Sequence, residues 1–182
     1  MDIENNRHSR KYGRKEQLGR LLWMWLGHPL FRYSFRTAFG WRRFLLRVFG
    51  ARVGRETNIY NSAVIYFPWN LEIGEWSSIG EWVLIYNLGK IKIGNNTSIS
   101  LRAHLCSGTH DYRDPAMKLQ KCPITIADQA WVCADAFIAP GVSVGEGAVI
   151  GARAVVVRDV APWNVIGGNP AVFIKKRIMA AK

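Results

Sequence analysis

Among side chains that exchange protons near neutral pH, the chain has four histidines, His8, His28, His104 and His110. An imidazole, with an unperturbed pKa of about 6.5, is the usual group for taking a proton from a hydroxyl at neutral pH. His8 stands in a polar tail and His28 directly before Pro29, at the expected end of a helix, so both are poor bases. His104 and His110 lie close in sequence without a third imidazole, which is too few for a three-histidine zinc site. His110 opens the run His110-Asp111-Tyr112-Arg113-Asp114-Pro115. The partner that fixes its tautomer is Asp111, Asp114 or a backbone carbonyl, and the sequence does not choose among them. The three cysteines, Cys106, Cys122 and Cys133, are odd in number and lack paired spacing. No disulfide framework is expected, and a reducing, cytosolic compartment fits.

What must position His110 is a repeat. From Val53 onward Val, Ile or Leu recurs every six residues: Val53, Ile59, Ile65, Leu71; Ile73, Ile79, Ile85, Ile91; Ile93, Ile99, Leu105; then Ile126, Val132, Ile138, Val144, Ile150, Val156. Gly or another small residue often follows each aliphatic, as at Gly54, Gly74, Gly94 and Gly145. Four places on, residues such as Thr57, Ser77, Thr97 and Ala130 are small or β-branched. A six-residue period fits neither an amphipathic helix nor a simple alternating strand. It fits short strands joined by tight corners, with one aliphatic per side pointing inward and small residues letting the chain turn. Three sides make a coil, and the phase breaks give about five coils over 53–70, 73–90, 93–110, 126–143 and 144–161. A loop at 111–125 leaves the prism, and His110 stands at its base, where a pocket would form. Asn87 and Ser107 hold the same place in successive coils, stacked roughly 4.8 Å apart just before His110. Either could orient a hydroxyl, although buried Asn ladders are also ordinary structural features of such prisms.

The 182 residues suit one domain, and 12% aromatic content argues against disorder. No apolar run approaches the roughly 20 residues a spanning helix needs, and the polar start lacks a cleavable signal's pattern. The net charge of +12 is concentrated: residues 1–55 carry 13 Lys and Arg against three acids. Residues 1–52 therefore form a basic arm. Its apolar stripes, Leu18, Leu21, Leu22, Trp25 and then Trp41, Phe44, Leu45, Val48, Phe49, predict two short amphipathic helices, with Arg42, Arg43 and Arg47 off the stripe. No nucleic-acid-binding pattern accompanies this charge. The arm is expected to cap the prism, to contact an anionic membrane surface peripherally, or to do both. Residues 172–182 read as a short basic tail.

The hexads, with Cys106-Ser107-Gly108-Thr109-His110-Asp111-Tyr112-Arg113-Asp114-Pro115 and the closing Val165-Ile166-Gly167-Gly168-Asn169-Pro170-Ala171, resemble the maltose, galactoside and nodulation-type hexapeptide-repeat O-acetyltransferases. Together with Gly40-Trp41-Arg42-Arg43-Phe44-Leu45-Leu46-Arg47, the His loop is similar to the colanic acid biosynthesis type. The resemblance covers roughly residues 18–176. It implies an all-β solenoid, a left-handed parallel β-helix, and an acetyl-CoA-dependent transfer to a sugar hydroxyl of exopolysaccharide biosynthesis; the expected compartment is cytoplasmic, at the inner face of the membrane if the basic arm docks there. His110 is then the general base, and Asn87, Ser107 and Asp111 face the acceptor, a lipid- or nucleotide-linked carbohydrate. Trp131, Ala134, Ala152, Val157, Arg158 and Lys175 match positions along the coenzyme A groove, with Lys176 and Arg177 as further phosphate partners. Val157 and Val172 depart from the polar or basic residue expected there, and Lys90-Ile91-Lys92 replaces an acidic pair, which puts a maltose- or galactoside-like acceptor in doubt. The resemblance implies a homotrimer, no metal and no cysteine nucleophile. The competing readings are a non-catalytic β-helix scaffold and, less in keeping with two prism histidines, a γ-class carbonic anhydrase.

Overall fold

The hexad aliphatics all point inward: none is more than 7% exposed, and most are fully buried. The computed structural model describes residues 2–8 and 11–180. Strands, most of two or three residues, stack in parallel through the coils into three sheets, the faces of a prism. The first face carries Arg52–Val53, Leu71–Ile73, Ile91–Ile93, Ile124–Ile126 and Ser143–Val144. The second carries Asn58–Ile59, Ser78–Ile79, Ser98–Ile99, Trp131–Val132, Val149–Ile150 and Asn164–Gly168. The third carries Val64–Ile65, Leu84–Tyr86, His104–Cys106, Phe137–Ile138 and Val155–Val156. Aliphatic stacks on aliphatic, Val53 on Ile73, Ile73 on Ile93, Ile93 on Ile126 and Ile126 on Val144. Five coils are complete, and a sixth begins where Val160 bridges Val144.

The small residues after the aliphatics do not make the turns, as the spacing suggested. The left-handed corner conformation belongs to Glu56, Trp76, Asn96, Gln129, Gly147 and Trp163 at one corner and to Trp82, Arg102, Asp135 and Arg153 at the next. Glycine is required instead by the approach of the next coil. A Cβ on Gly94 would stand 2.6 Å from the Asp128 backbone nitrogen and against its carboxylate. The neighbouring small hydroxyls tie coils together: Thr57, Ser77 and Thr97 donate to the carbonyls of Gly74, Gly94 and Ala127 at 2.6, 2.7 and 2.9 Å. Gly94→Ala is expected to cost about 2 kcal/mol, because backbone must move to admit the methyl. An unchanged urea midpoint would contradict this account.

The arm departs from its expected form. Helices span Ile3–His8, Arg14–Leu22, His28–Arg32 and Phe39–Val48, and a wider π-turn over Trp23–Gly27 joins the second to the third. Pro29 therefore does not end a helix; the helical backbone runs through it directly after the π-turn. The predicted stripe Leu18, Leu21, Leu22, Trp25 is not buried, each residue being at least half exposed. Trp23 packs inward instead, its Nε1 donating to the Ile65 carbonyl at 2.8 Å and its ring meeting Phe31 and Phe49 edge-on. In the last helix Leu45 and Leu46 join the core, closing the apolar end of the first coil. Arg42, which lies off the predicted stripe, is completely buried there.

Two boundaries also shift. The projecting loop is a hairpin in which Gly108–His110 pairs antiparallel with Leu119–Lys121, and the chain rejoins the first face at Ile124. The presumed tail is ordered at its start, where Ala171–Lys176 pairs antiparallel with Asn164–Gly168 and extends the second face.

Candidate active site

His110 ends the outgoing strand of the hairpin and is exposed. Its Nδ1 lies 2.5 Å from the Met117 carbonyl oxygen across the hairpin loop. A carbonyl only accepts, so this contact assigns the proton to Nδ1 and leaves the Nε2 lone pair directed away from the loop. Asn6 donates to the same carbonyl at 2.7 Å and to Ala116 at 2.6 Å. Of the three candidates for fixing the ring, the backbone carbonyl is the one the structure supplies. Asp111 instead accepts from Arg113, at the backbone nitrogen and at Nε, which holds its carboxyl below the usual range. Asp114 accepts from the Ala116 N–H at 2.9 Å. The two carboxylates shape the loop, and the loop presents the carbonyl. Met117 carries no sequence signal, because a main-chain acceptor is independent of its side chain, and the Asn6 amide reaches it from a separation of 111 residues.

Asn87 and Ser107 sit where the coil arithmetic places them, but both are fully buried. Asn87 accepts from the Phe67 N–H and donates to the Phe67 carbonyl, at 2.9 and 2.6 Å. Ser107 Oγ lies 2.9 Å from both the nitrogen and the carbonyl oxygen of Gly89. Each of these side-chain polar atoms is engaged by the preceding coil. What lies beside the hairpin is an aromatic and basic group absent from the sequence reading. The Tyr86 and Tyr66 rings meet edge-on at 4.8 Å, and Tyr86 aligns with Cys106, two residues before the hairpin. Burial, followed by nearby Tyr12, Cys106 and Tyr66, raises the Tyr86 phenol, which stays protonated as a donor. Arg20 lies over Tyr12 at 4.2 Å, and Lys121 meets Glu16 at 3.1 Å. A cleft of about 510 Å³ opens between the arm and the third face, with Arg20, Leu21, Met24 and Tyr66 in its wall.

The proposed cofactor positions distribute around the upper third face. Ala134 and Ala152 occupy successive coils at the corner between the second and third faces, joined through the Arg153 N–H, which donates to Ala134 O at 2.9 Å. The N–H groups of Ala134 and Ala152 meet no acceptor among the described residues. Trp131 lies on the adjoining second face, nearly half exposed, with Nε1 donating to Ser100 Oγ. Val157 and Arg158 follow the last strand of the third face, exposed at the opposite corner, and Lys175 is exposed on the closing strand. Arg177 serves the fold, donating to the carbonyls of Gln129 and Gly147 at 2.8 and 2.9 Å.

His104 lies on the third face with its ring edge-on to Phe137, and burial pushes its pKa below the ordinary value. Its neutral Nε2 has no partner among the described residues. The three cysteines are free thiols, and burial raises Cys133, which disfavours a thiolate there. Among the described residues no group of three or more His, Cys, Asp or Glu is placed to hold a metal, and no helix is long and apolar enough to cross a membrane.

No protein-family profile matches the chain. It is 40% identical over 158 residues to WcaF of Escherichia coli K12, named as a colanic acid biosynthesis acetyltransferase, and the match covers 86% of each chain. Solved structures share the fold at lower identity. The hexapeptide-repeat acetyltransferase VCA0836 of Vibrio cholerae, complexed with acetyl coenzyme A, superposes with a TM-score of 0.84 at 23% identity, over 98% of this chain and 97% of that one. A maltose O-acetyltransferase from Clostridium difficile superposes with 0.82 at 24% identity, over 98% of both. With its hexads buried as one continuous core and its His loop held out on a hairpin, the chain belongs to the hexapeptide-repeat acetyltransferases, in the line of the colanic acid biosynthesis type.

Proposed function

We propose that this acetyltransferase moves the acetyl group of acetyl-CoA to a hydroxyl of a carbohydrate acceptor, with His110 as general base. The observation that carries the base assignment is the Nδ1 contact with Met117 O, which leaves Nε2 able to accept. The acceptor O–H gives its proton to Nε2 as its oxygen attacks the thioester carbon; the C–S bond then breaks, and the departing thiolate takes the proton back from the imidazolium. A direct transfer of this kind needs no acyl-enzyme, in keeping with a Cys133 thiol disfavoured as thiolate. The unpaired N–H groups of Ala134 and Ala152 would bond the extended pantetheine arm, Trp131 would flank it, and Arg158 and Lys175 would meet its phosphates as charge-assisted partners. Exposed Val157 offers only apolar contact. Thiol release from acetyl-CoA, measured with and without nucleotide- or lipid-linked sugars, tests this reading. Release that no such acceptor stimulates would overturn it.

The family resemblance implies a homotrimer, and the path of the chain supports a site shared between copies. His110 leaves the corner after the third face, whereas Ala134 and Ala152 mark the corner before it, so the width of a face separates base and thioester track within one chain. A neighbouring prism set beside the hairpin would bring its own track to this histidine. Light scattering is expected to report three copies of the 20.6 kDa chain. An active species at the mass of one chain would contradict the shared site.

A further inference from the structure

The arm helices bury one face and leave an apolar one outside. In the 14–32 run Trp23, Gly27 and Phe31 lie against the prism, while Leu18, Leu22, Trp25 and Leu26 are each more than half exposed, Trp25 at 77%. The 39–48 helix repeats this arrangement: Leu45 and Leu46 are buried, and Phe44 and Val48 are 56% and 63% exposed. Trp41 joins the two outer faces, its Nε1 donating to the Leu30 carbonyl at 3.2 Å and its ring 5.9 Å from Phe44. A patch of this kind is unusual on a soluble surface, where helix faces turned from the core are ordinarily polar.

Charge identifies what fits it. Between Glu16 and Glu56 the chain has no carboxylate but eight arginines. Within this span Arg36 is exposed and pairs with Glu81, and Arg47 is exposed while donating to the Val53 and Gly54 carbonyls; Arg14 and Lys15 are exposed at the start of the 14–32 run. Exposed Trp and Leu flanked by cations are the complement of an anionic lipid surface: apolar side chains enter the headgroup boundary while Arg and Lys meet phosphates. The cleft beside Leu21 and Met24 continues the apolar surface toward the prism.

We propose that the outer faces of the 14–32 and 39–48 helices dock the enzyme on an anionic phospholipid bilayer. Lys121 of the His110 hairpin pairs with Glu16 of the first of these helices, so the docked arm would hold the reacting hairpin close to the membrane surface. This inference rests on the fold and on the arm's charge, and does not need the base assignment.

Vesicle flotation of the full chain tests it, with phosphatidylglycerol/phosphatidylcholine vesicles set against phosphatidylcholine alone, at low and high salt. The full chain is expected to float with the anionic vesicles, at least tenfold less with the neutral ones, and progressively less as salt shortens the Debye length below about 8 Å. The double variant Leu22→Glu, Trp25→Glu removes only exposed side chains and should lose flotation while keeping its melting temperature and thiol release with a soluble acceptor. Flotation unaffected by the double substitution would overturn the proposal. So would a wild-type chain that stays with the protein fraction, including the case in which the double variant changes mass in light scattering, since the face would then belong to a contact between copies.

Discussion

Replacing His110 by alanine is expected to lower kcat by about two to four orders of magnitude, the usual range for removal of a general base. Coenzyme A affinity should change little, because none of the groups proposed to hold it lies on the hairpin. The structural basis is narrow and specific. The Met117 carbonyl holds the proton on Nδ1, and the exposed ring presents Nε2 to whatever hydroxyl reaches it. Acceptance by Nε2 is worth most as the acceptor oxygen begins to attack, so the loss should appear in kcat rather than in binding of either substrate. His110→Ala should also melt with the wild type, since an exposed hairpin side chain contributes little to the core. Turnover remaining at a tenth of wild type would place the base elsewhere. His104 would be a weak successor, because it is held neutral and half-buried against Phe137.

Replacing Arg42 by leucine should destabilise the protein by roughly 3 kcal/mol, since several buried acceptors would lose their donor at once. The guanidinium is wholly enclosed and donates through Nε to the Ile59 carbonyl, through Nη1 to Ser34 Oγ at 2.8 Å and the Phe35 carbonyl at 2.7 Å, and through Nη2 to the Arg36 carbonyl at 2.7 Å. One planar fork thus closes both the 32–38 bend and the open edge of the first coil. For a chain of this size the loss corresponds to a fall in Tm of roughly 6–12 °C. Arg42→Lys should recover little, because one ammonium cannot span acceptors arranged around a flat fork. Thermal unfolding of both variants decides it, and a lysine variant as stable as wild type would remove the guanidinium's special role.

Much of the molecule is legible in its residues. The six-residue recurrence from Val53 to Val156 follows from a physical demand that acts locally and repeatedly: each short side of a coil must bury one aliphatic, so periodicity specifies the prism, its number of coils and the point where the chain leaves it. His110 is legible for the same reason, since it stands where the period breaks. The repeat alone does not distinguish a glycine needed for a corner from one needed for the close approach of another coil. That depends on what lies a full coil away, as Asp128 does from Gly94.

The remainder required the tertiary structure because it depends on which atoms face one another across long separations. Asn87 and Ser107 have the composition of acceptor-binding residues, yet the preceding coils engage their polar groups. Arg42 has the composition of a surface cation, yet the bend before it and the edge of the first coil wrap it in carbonyls. Leu18, Leu22 and Trp25 have the spacing of a buried stripe, yet Trp23, reaching the Ile65 carbonyl, turns them outward. The tautomer of His110 rests on a main-chain oxygen seven residues away, brought there by the hairpin. The sequence by itself determined the repeat, the break and the charge of the arm, because these are local and additive along the chain. Only the tertiary structure decided where each polar group spends its hydrogen bonds, because a donor is satisfied by whichever acceptor the fold brings within about 3 Å.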